Sequence, residues 1–337
     1  YCQVLWNLRS HQLLKSQILS GINPIVENSH PYLSSNLLSM IGFSEEVLAA
    51  RANGSPIVAL ESTIISHGLP RPENLKVATE VESIIRNCGA TPATIAIIDG
   101  EINVGLDGKA LERLANDDSV VKASIRDLPM VRVNKLSAAT TVAATSHIAH
   151  SVGFTFFATG GLGGVHRGAS QTWDESADLS ALATTPVLVV CAGAKSILDI
   201  PATLERLETL SVPILGFGTN RFPGFYLTDS GYPLEYRVDT VTEVAEIWSQ
   251  RNQVGIQNAG MIIANPVREP MDPDLHDQLL TEGLALAESK GVRGKDVTPF
   301  LLDFFHTQSK GESLRVNIEI IKANAKLAAQ IAVASID

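Results

Sequence analysis

Short apolar runs of strand length recur along the 337-residue chain, and stretches of helix length separate them. Ile57-Val58-Ala59-Leu60 is the first clear run, opened by Pro56 and closed by the polar Glu61-Ser62-Thr63. Residues 94–98, 154–158, 187–191, 214–215 and 261–263 repeat the pattern, with Val120-Val121 as a shorter run. Apolar residues in unbroken succession signify strands buried on both faces. The intervening stretches 72–87, 140–152, 197–210, 241–251, 273–290 and 312–333 predict helices. Shorter helical stretches are expected from Ile41, with Phe43, Val47 and Leu48, and around Leu111 to Leu114. In the 72–87 stretch Leu75, Ala78, Val81 and Ile84-Ile85 share one face, and Gly89 stands where a C-terminal cap belongs.

Alternation of this kind specifies an α/β fold: a three-layer α/β/α sandwich around a largely parallel sheet, as a single domain over residues 41–337. In such sheets a ligand sits beyond the carboxyl ends of the strands. The unusual polar residues fall there: Glu61, residues 159–167, and Lys195.

A net charge of −10 argues against a general nucleic-acid or membrane surface, while leaving room for a small anion held by a few local cations and amides. Cys2, Cys88 and Cys191 show neither paired nor metal-ligand spacing, which fits a reducing, intracellular compartment. No apolar run reaches the roughly 18 residues of a membrane span. Tyr1 in place of an initiator methionine reads as a fragment or a processed chain. Residues 1–40 form an N-terminal extension with Arg9 and Lys15 but no acidic residue before Glu27. A targeting peptide and an unstructured extension both fit, so cytoplasm, mitochondrion and peroxisome all remain open.

Lys195 follows an apolar strand and small residues in Cys191-Ala192-Gly193-Ala194-Lys195-Ser196, near an expected helix start. Apolar surroundings and a helix's positive end both disfavour an ammonium, and a neutral amine attacks aldehydes to form a Schiff base. A snorkelling lysine that covers the helix start is the alternative. The stretch 159–168 holds five glycines, which let backbone amides approach a ligand. It carries only part of a dinucleotide fingerprint, so no nucleotide cofactor is expected. His166 and Arg167 at its end suit a base or a phosphate, or are surface groups on a tight loop. Asp174 and Asp178 flank Ser176 as helix caps, or as ligands of a hard cation such as Mg²⁺ or Mn²⁺. Glu61 at a strand end is a general acid or a capping carboxylate. Lys122 ends another strand, and Thr140-Thr141-Val142 opens a helix that either seats a phosphate or is merely capped.

Together these segments resemble the pseudouridine-5′-phosphate glycosidase family, which includes indigoidine synthase A-like proteins. The matching motifs are Ala59-Leu60-Glu61-Ser62-Thr63-Ile64-Ile65-Ser66-His67-Gly68, Ala139-Thr140-Thr141-Val142, residues 159–168, Ser176-Ala177-Asp178-Leu179 and Val190-Cys191-Ala192-Gly193-Ala194-Lys195-Ser196-Ile197-Leu198-Asp199. Thr298-Pro299-Phe300-Leu301-Leu302, Glu312-Ser313-Leu314 and Asn317-Ile318 match further on. The resemblance implies reversible cleavage of pseudouridine 5′-phosphate to ribose 5-phosphate and uracil, by a homotrimer that uses Mn²⁺ or another divalent cation. It implies that Lys195 is the Schiff-base nucleophile, Glu61 the proton donor and Asp174 the metal ligand. Lys122, Val142, Ser176, Ala177 and Asp178 match substrate-binding positions, and Thr159, His166 and Asn317 match groups around uracil and sugar. Fusion or pairing with a sugar kinase also follows from the resemblance. The alternatives are a related glycosidase acting on another phosphoribosyl compound and a non-catalytic phosphosugar-binding protein.

Overall fold

The computed structural model of the protein describes residues 40–293 and 296–336; apart from Met40, the extension expected over residues 1–40 lies outside them. The strands are β1 (Ile41–Phe43), β2 (Ile57–Leu60), β3 (Thr91–Ile98), β4 (Glu101–Val104), β5 (Val121–Ala123), β6 (Ala138–Thr140), β7 (Phe156–Ala158), β8 (Leu188–Cys191), β9 (Ile214–Phe217), β10 (Tyr236–Val238) and β11 (Met261–Ala264). Among the described residues they form an 11-stranded sheet ordered β1-β4-β3-β2-β7-β8-β11-β9-β10, with β6 beside β3 and β5 beside β6. Every pairing is parallel except those of β3 with β4 and with β6. One half of β3 (Thr91 to Thr94) runs parallel to β2, and the other half (Ile95 to Ile98) pairs antiparallel with β4.

The helices are α1 (Glu45–Asn53), α2 (Glu73–Asn87), α3 (Gly108–Asn116), α4 (Leu128–Val133), α5 (Val142–Ser151), α6 (Ala169–Thr172), α7 (Ala177–Thr184), α8 (Ile200–Thr209), α9 (Val241–Gln253), α10 (Pro273–Ser289), α11 (Val297–Gln308) and α12 (Glu312–Ala334). Successive strand residues point to opposite faces, and this places the layers. Ala59, Phe157, Val189 and Ile262 pack with Ala144 and Ile148 of α5 and Leu179 and Leu182 of α7. Val58, Leu60, Ala158, Val190 and Ile263 pack on the other face, with Val77, Val81 and Ile85 of α2 and Ile321, Ala325 and Ala328 of α12. Helices on both faces of a parallel sheet make the three-layer architecture expected from the alternation. Phe157 is fully buried at its centre, where truncation to alanine would cost about 3–5 kcal/mol. A further apolar cluster, including Phe222, Phe225, Tyr226, Leu279, Leu301 and Phe305, sits where the chain leaves the carboxyl ends of the strands.

Several boundaries differ from the sequence reading. The segment at Ile41 is a strand paired with β4, and its helix starts only at Glu45. Ser44 sets that start, because its side chain accepts the Val47 N–H at 3.3 Å. The helix expected from Ile197 begins at Ile200, where Asp199 accepts the Ala202 N–H at 3.1 Å. Lys195 therefore lies in the connection before α8 rather than at its positive end. Lys122 is the central residue of β5, not its last. Helix α11 was not read from the sequence: Pro299 lies in its first turn, where the missing N–H is harmless.

Candidate active site

Register builds the centre of the site. Leu60 pairs with Ala158, and Ala158 with Val190, so Glu61 and Thr159 leave adjacent parallel strands at the same level. Thr159 Oγ1 donates to Glu61 Oε1 at 2.5 Å, and both side chains are buried. Burial pushes the Glu61 carboxyl above the usual carboxylate range, while Lys195, the Thr159 hydroxyl and Lys122 pull it back. The carboxyl thereby keeps its proton to a higher pH than an exposed glutamate does. Lys122 is mostly buried, and burial together with Lys195 depresses its pKa, against the smaller pull of Asp178, Glu61 and Asp296.

The connections after β7 and β8 run side by side. Leu162 N–H donates to Gly193 O at 2.9 Å, Lys195 N–H to Leu162 O at 3.1 Å, and Ala192 N–H to Gly160 O at 2.9 Å. This ladder continues the sheet past its strands and fixes the backbone that carries Lys195. Close approach explains the glycines here. A Cβ on Gly161 would lie 2.6 Å from Phe225 Cδ2, and one on Gly193, at φ +77°, would meet the Pro223 carbonyl oxygen. Asn324 of α12 donates to Thr159 O at 2.8 Å and Gly160 O at 3.2 Å, and accepts from Asn265 Nδ2 at 2.9 Å. The sequence reading passed over this brace, because a lone asparagine inside an amphipathic helix carries no pattern.

Two lobes of one cleft meet at Glu61, Thr63, Lys122, Lys195 and Thr298. The larger lobe, about 1240 Å³ and open to solvent, is lined by Thr141, Val142, Gly163, His166, Asp174, Ser176, Ala177 and Asp178. The smaller has apolar walls in Ile64, Phe225, Pro299 and Leu302, with His67 and Asn317 as its polar groups beyond the junction. The structure thus brings Lys195, Glu61 and Lys122 together at the junction. Val142, Ser176, Ala177, Asp178, His166 and Asp174 line the polar lobe, and Asn317 lines the apolar one. Thr159 stands behind Glu61 and lines neither lobe. His166 and Asn317, grouped together in the sequence reading, face different lobes.

Local hydrogen bonds decide which polar groups remain free. Thr140 Oγ1 donates to Ile95 O at 2.7 Å, so this hydroxyl ties β6 to β3 and does not face a ligand. Thr141 caps α5, and Ser176 caps α7 by accepting the Asp178 N–H at 3.2 Å. Asp178 accepts from Ala143 N–H and Gly163 N–H, and Arg167 donates to the carbonyls of Ser196 and Ile197, which makes that arginine a strut. Val142 at the first turn of α5 and Ala177 at that of α7 still bring two positive helix ends to the polar lobe. His166 is held toward its neutral form by burial, against the pull of Asp174.

Among the described residues no group of three or more His, Cys, Asp or Glu side chains could enclose a metal. Asp174 is half-buried in the open lobe, and no described side chain donates a hydrogen bond to its carboxylate. One free carboxylate facing solvent suits a hard cation that keeps most of its waters, as Mg²⁺ and Mn²⁺ do. The arrangement therefore offers an acid, two amines, an anion seat and an apolar slot within one cleft.

Residues 46–334 match the family model described as indigoidine synthase A like protein. Pseudouridine-5′-phosphate glycosidase of Salinispora tropica is 57% identical, over 86% of this chain and 90% of its own. The protein of the same name from Streptomyces griseus is 52% identical over 87% and 92%. Two solved structures share the fold. An indigoidine synthase A-like protein from Thermotoga maritima has a TM-score of 0.79 and 35% identity, covering 87% of this chain and 96% of its own. The prealnumycin C-glycosynthase AlnA in complex with ribulose 5-phosphate has a TM-score of 0.81 and 32% identity, covering 88% and 97%.

Proposed function

The chain belongs to the indigoidine synthase A-like family, and on that premise we propose that it is a pseudouridine-5′-phosphate glycosidase. It reversibly cleaves the C–C glycosidic bond of pseudouridine 5′-phosphate to give ribose 5-phosphate and uracil. One observation carries the reading beyond the relatives' names: Glu61, Lys122 and Lys195 meet where a polar lobe with two helix ends joins an apolar slot. A phosphosugar fits the first and a flat base the second, which sets the bond between them against the acid and the amines.

The bond broken joins C1′ of the ribose to C5 of uracil. A carbon leaving atom has no lone pair to protonate, so the two-carboxylate route of ordinary glycosidases is closed. Lys195 Nζ bonds to C1′ while O4′ leaves with the Glu61 proton and the sugar ring opens; the secondary ammonium so formed gives its extra proton back to Glu61. Protonation of uracil C5 and the push of the nitrogen lone pair then break C1′–C5 and leave a C1′ iminium on Lys195. Water hydrolyses the iminium to ribose 5-phosphate and returns the amine. Glu61, whose pKa burial raises, supplies the proton to O4′ and, once recharged from the new ammonium, the proton to C5. Lys122, held toward neutrality, orients the sugar or its phosphate at the same junction.

Asp174 would hold Mn²⁺ or another divalent cation through a largely hydrated shell, and the ion would offset phosphate charge and order the polar lobe. The same reading includes a homotrimer and a sugar kinase that supplies the 5′-phosphate. A second reading keeps the phosphosugar and changes the acceptor, as the name of the C-glycosynthase neighbour suggests.

Incubation with pseudouridine 5′-phosphate and Mn²⁺ is expected to release free uracil. Borohydride reduction with ribose 5-phosphate is expected to leave one sugar adduct on Lys195, absent from Lys195→Ala. Adduct formation without uracil release would favour the second reading, and uracil release by Lys195→Ala would sink the mechanism.

A further inference from the structure

We propose that His67 is a base-reading residue of this site, its Nε2 hydrogen-bonding a polar edge of the pyrimidine that leaves or joins the sugar. The inference rests on the proposed glycosidase activity and extends it to base selection. His67 lies in the π-helical turn Ile64–Gly68 just past β2, and single turns of this kind recur at functional sites. The turn is anchored at the two residues just before the ring: Asn74 Nδ2 donates to Ile65 O at 2.9 Å, and Ser66 Oγ to Leu114 O at 3.0 Å. The ring is thus positioned by bonds that its own nitrogens do not make.

Its Nε2 is buried and has no hydrogen-bond partner among the described residues. A buried polar atom left without a partner in an otherwise satisfied turn is expected to find one when a ligand arrives. Position says which part of the ligand. His67 and Asn317 line the apolar lobe and also the cavity beyond it, but not the polar lobe. Glu61, Lys122 and Lys195 separate them from the anion seat. A substrate with its phosphate in the polar lobe and C1′ at Lys195 therefore presents its base to His67 and Asn317.

Burial and the Lys122 charge hold the imidazole below its ordinary pKa, so the ring offers one donor and one acceptor. Uracil is also neutral, and its rim alternates N–H donors with carbonyl acceptors. Asn317, buried in the same lobe, adds an amide that both donates and accepts. Two such groups on one rim give directional selection that the walls Ile64, Phe225, Pro299 and Leu302 cannot give.

The test separates the base half of the reaction from the sugar half. His67→Leu and His67→Phe remove the polar group in two shapes, and His67→Gln keeps one. Each folded variant is assayed for KM toward uracil in the synthetic direction, and for borohydride trapping of ribose 5-phosphate on Lys195. Either apolar variant is expected to raise the uracil KM roughly tenfold or more while trapping stays within about twofold of the parent protein. His67→Gln is expected to recover most of the loss. A uracil KM within about twofold of the parent in a folded apolar variant overturns the assignment, as does an equal loss of trapping. Failure of the parent protein itself to form the adduct removes the activity on which the assignment stands.

Discussion

Asp178 joins Ala143 and Gly163 through a single carboxylate, with Oδ1 accepting the Ala143 N–H and Oδ2 the Gly163 N–H, each at 2.9 Å. One partner is the second residue of α5 and the other lies in the glycine loop after β7, so this buried anion clips two walls of the polar lobe together. Both oxygens meet donors. In Asp178→Asn the amide group would face an N–H with nothing to accept it. That variant is expected to lose about 1–3 kcal/mol of stability, read from urea unfolding, and to bind ribose 5-phosphate more weakly. An unchanged unfolding midpoint would refute the clip.

Burial raises the Glu61 pKa above its ordinary value, and this fixes the sign of two pH effects. Activity that needs the acid form is present at low pH and lost as pH rises through the raised pKa. Between the ordinary and the raised value the folded state binds more protons than the unfolded one, so stability also falls as pH rises through that window. Glu61→Gln is expected to remove that slope in melting curves and to lower kcat about 10²–10⁴-fold while ribose 5-phosphate trapping on Lys195 persists. A parent stability curve already parallel to that of Glu61→Gln would contradict the assignment.

Gly193 sits at φ +77° against the Pro223 carbonyl, in the backbone ladder that carries Lys195. Backbone cannot move aside as a flexible side chain can. Gly193→Ala is expected to cost at least about 1 kcal/mol from the left-handed conformation alone, and to reduce Lys195 trapping more than it reduces the melting temperature would suggest. A variant with normal trapping would show that the ladder does not position the amine.

Asp174 has a free carboxylate in the open lobe. Exhaustive chelation is expected to lower uracil release and Mn²⁺ to restore it. Asp174→Asn is expected to need more Mn²⁺ for half-maximal recovery, with paramagnetic Mn²⁺ titration giving a weaker affinity than in the parent. Equal Mn²⁺ affinity in the two proteins would move the ion elsewhere.

The architecture was legible because parallel strands buried on both faces leave unbroken apolar runs, as at Ile57 to Leu60 and Leu188 to Cys191. β1, β6 and β10 were hidden because a strand of three residues is too short to carry a periodicity. β4 stayed hidden for a related reason, being four residues long with only Ile102 and Val104 buried. Lys195 and Glu61 were visible as polar residues after strands and within matching motifs, and Asp174 as a carboxylate flanking Ser176. The split of the cleft into two lobes was not, since it depends on α11, which brings Thr298, Pro299 and Leu302 over the strand ends from about 100 residues past Lys195. Asn324 escaped for the same physical reason: its partners are the carbonyls of Thr159 and Gly160, 165 and 164 positions away. Asp178 was read as a helix cap, a cation ligand or a substrate-binding group, and only three-dimensional contact shows both its oxygens engaged by the Ala143 and Gly163 amides.

The alignment of Leu60, Ala158 and Val190 across β2, β7 and β8 is made by main-chain bonds, which are indifferent to side-chain identity. A slip by one position would turn Glu61 and Thr159 toward opposite helical layers at a stroke. The relative heights of acid and hydroxyl are therefore inherited from the weave of the sheet. Lobe walls such as Ile64 and Leu302 are free to drift toward other acceptors while the reacting atoms keep their places.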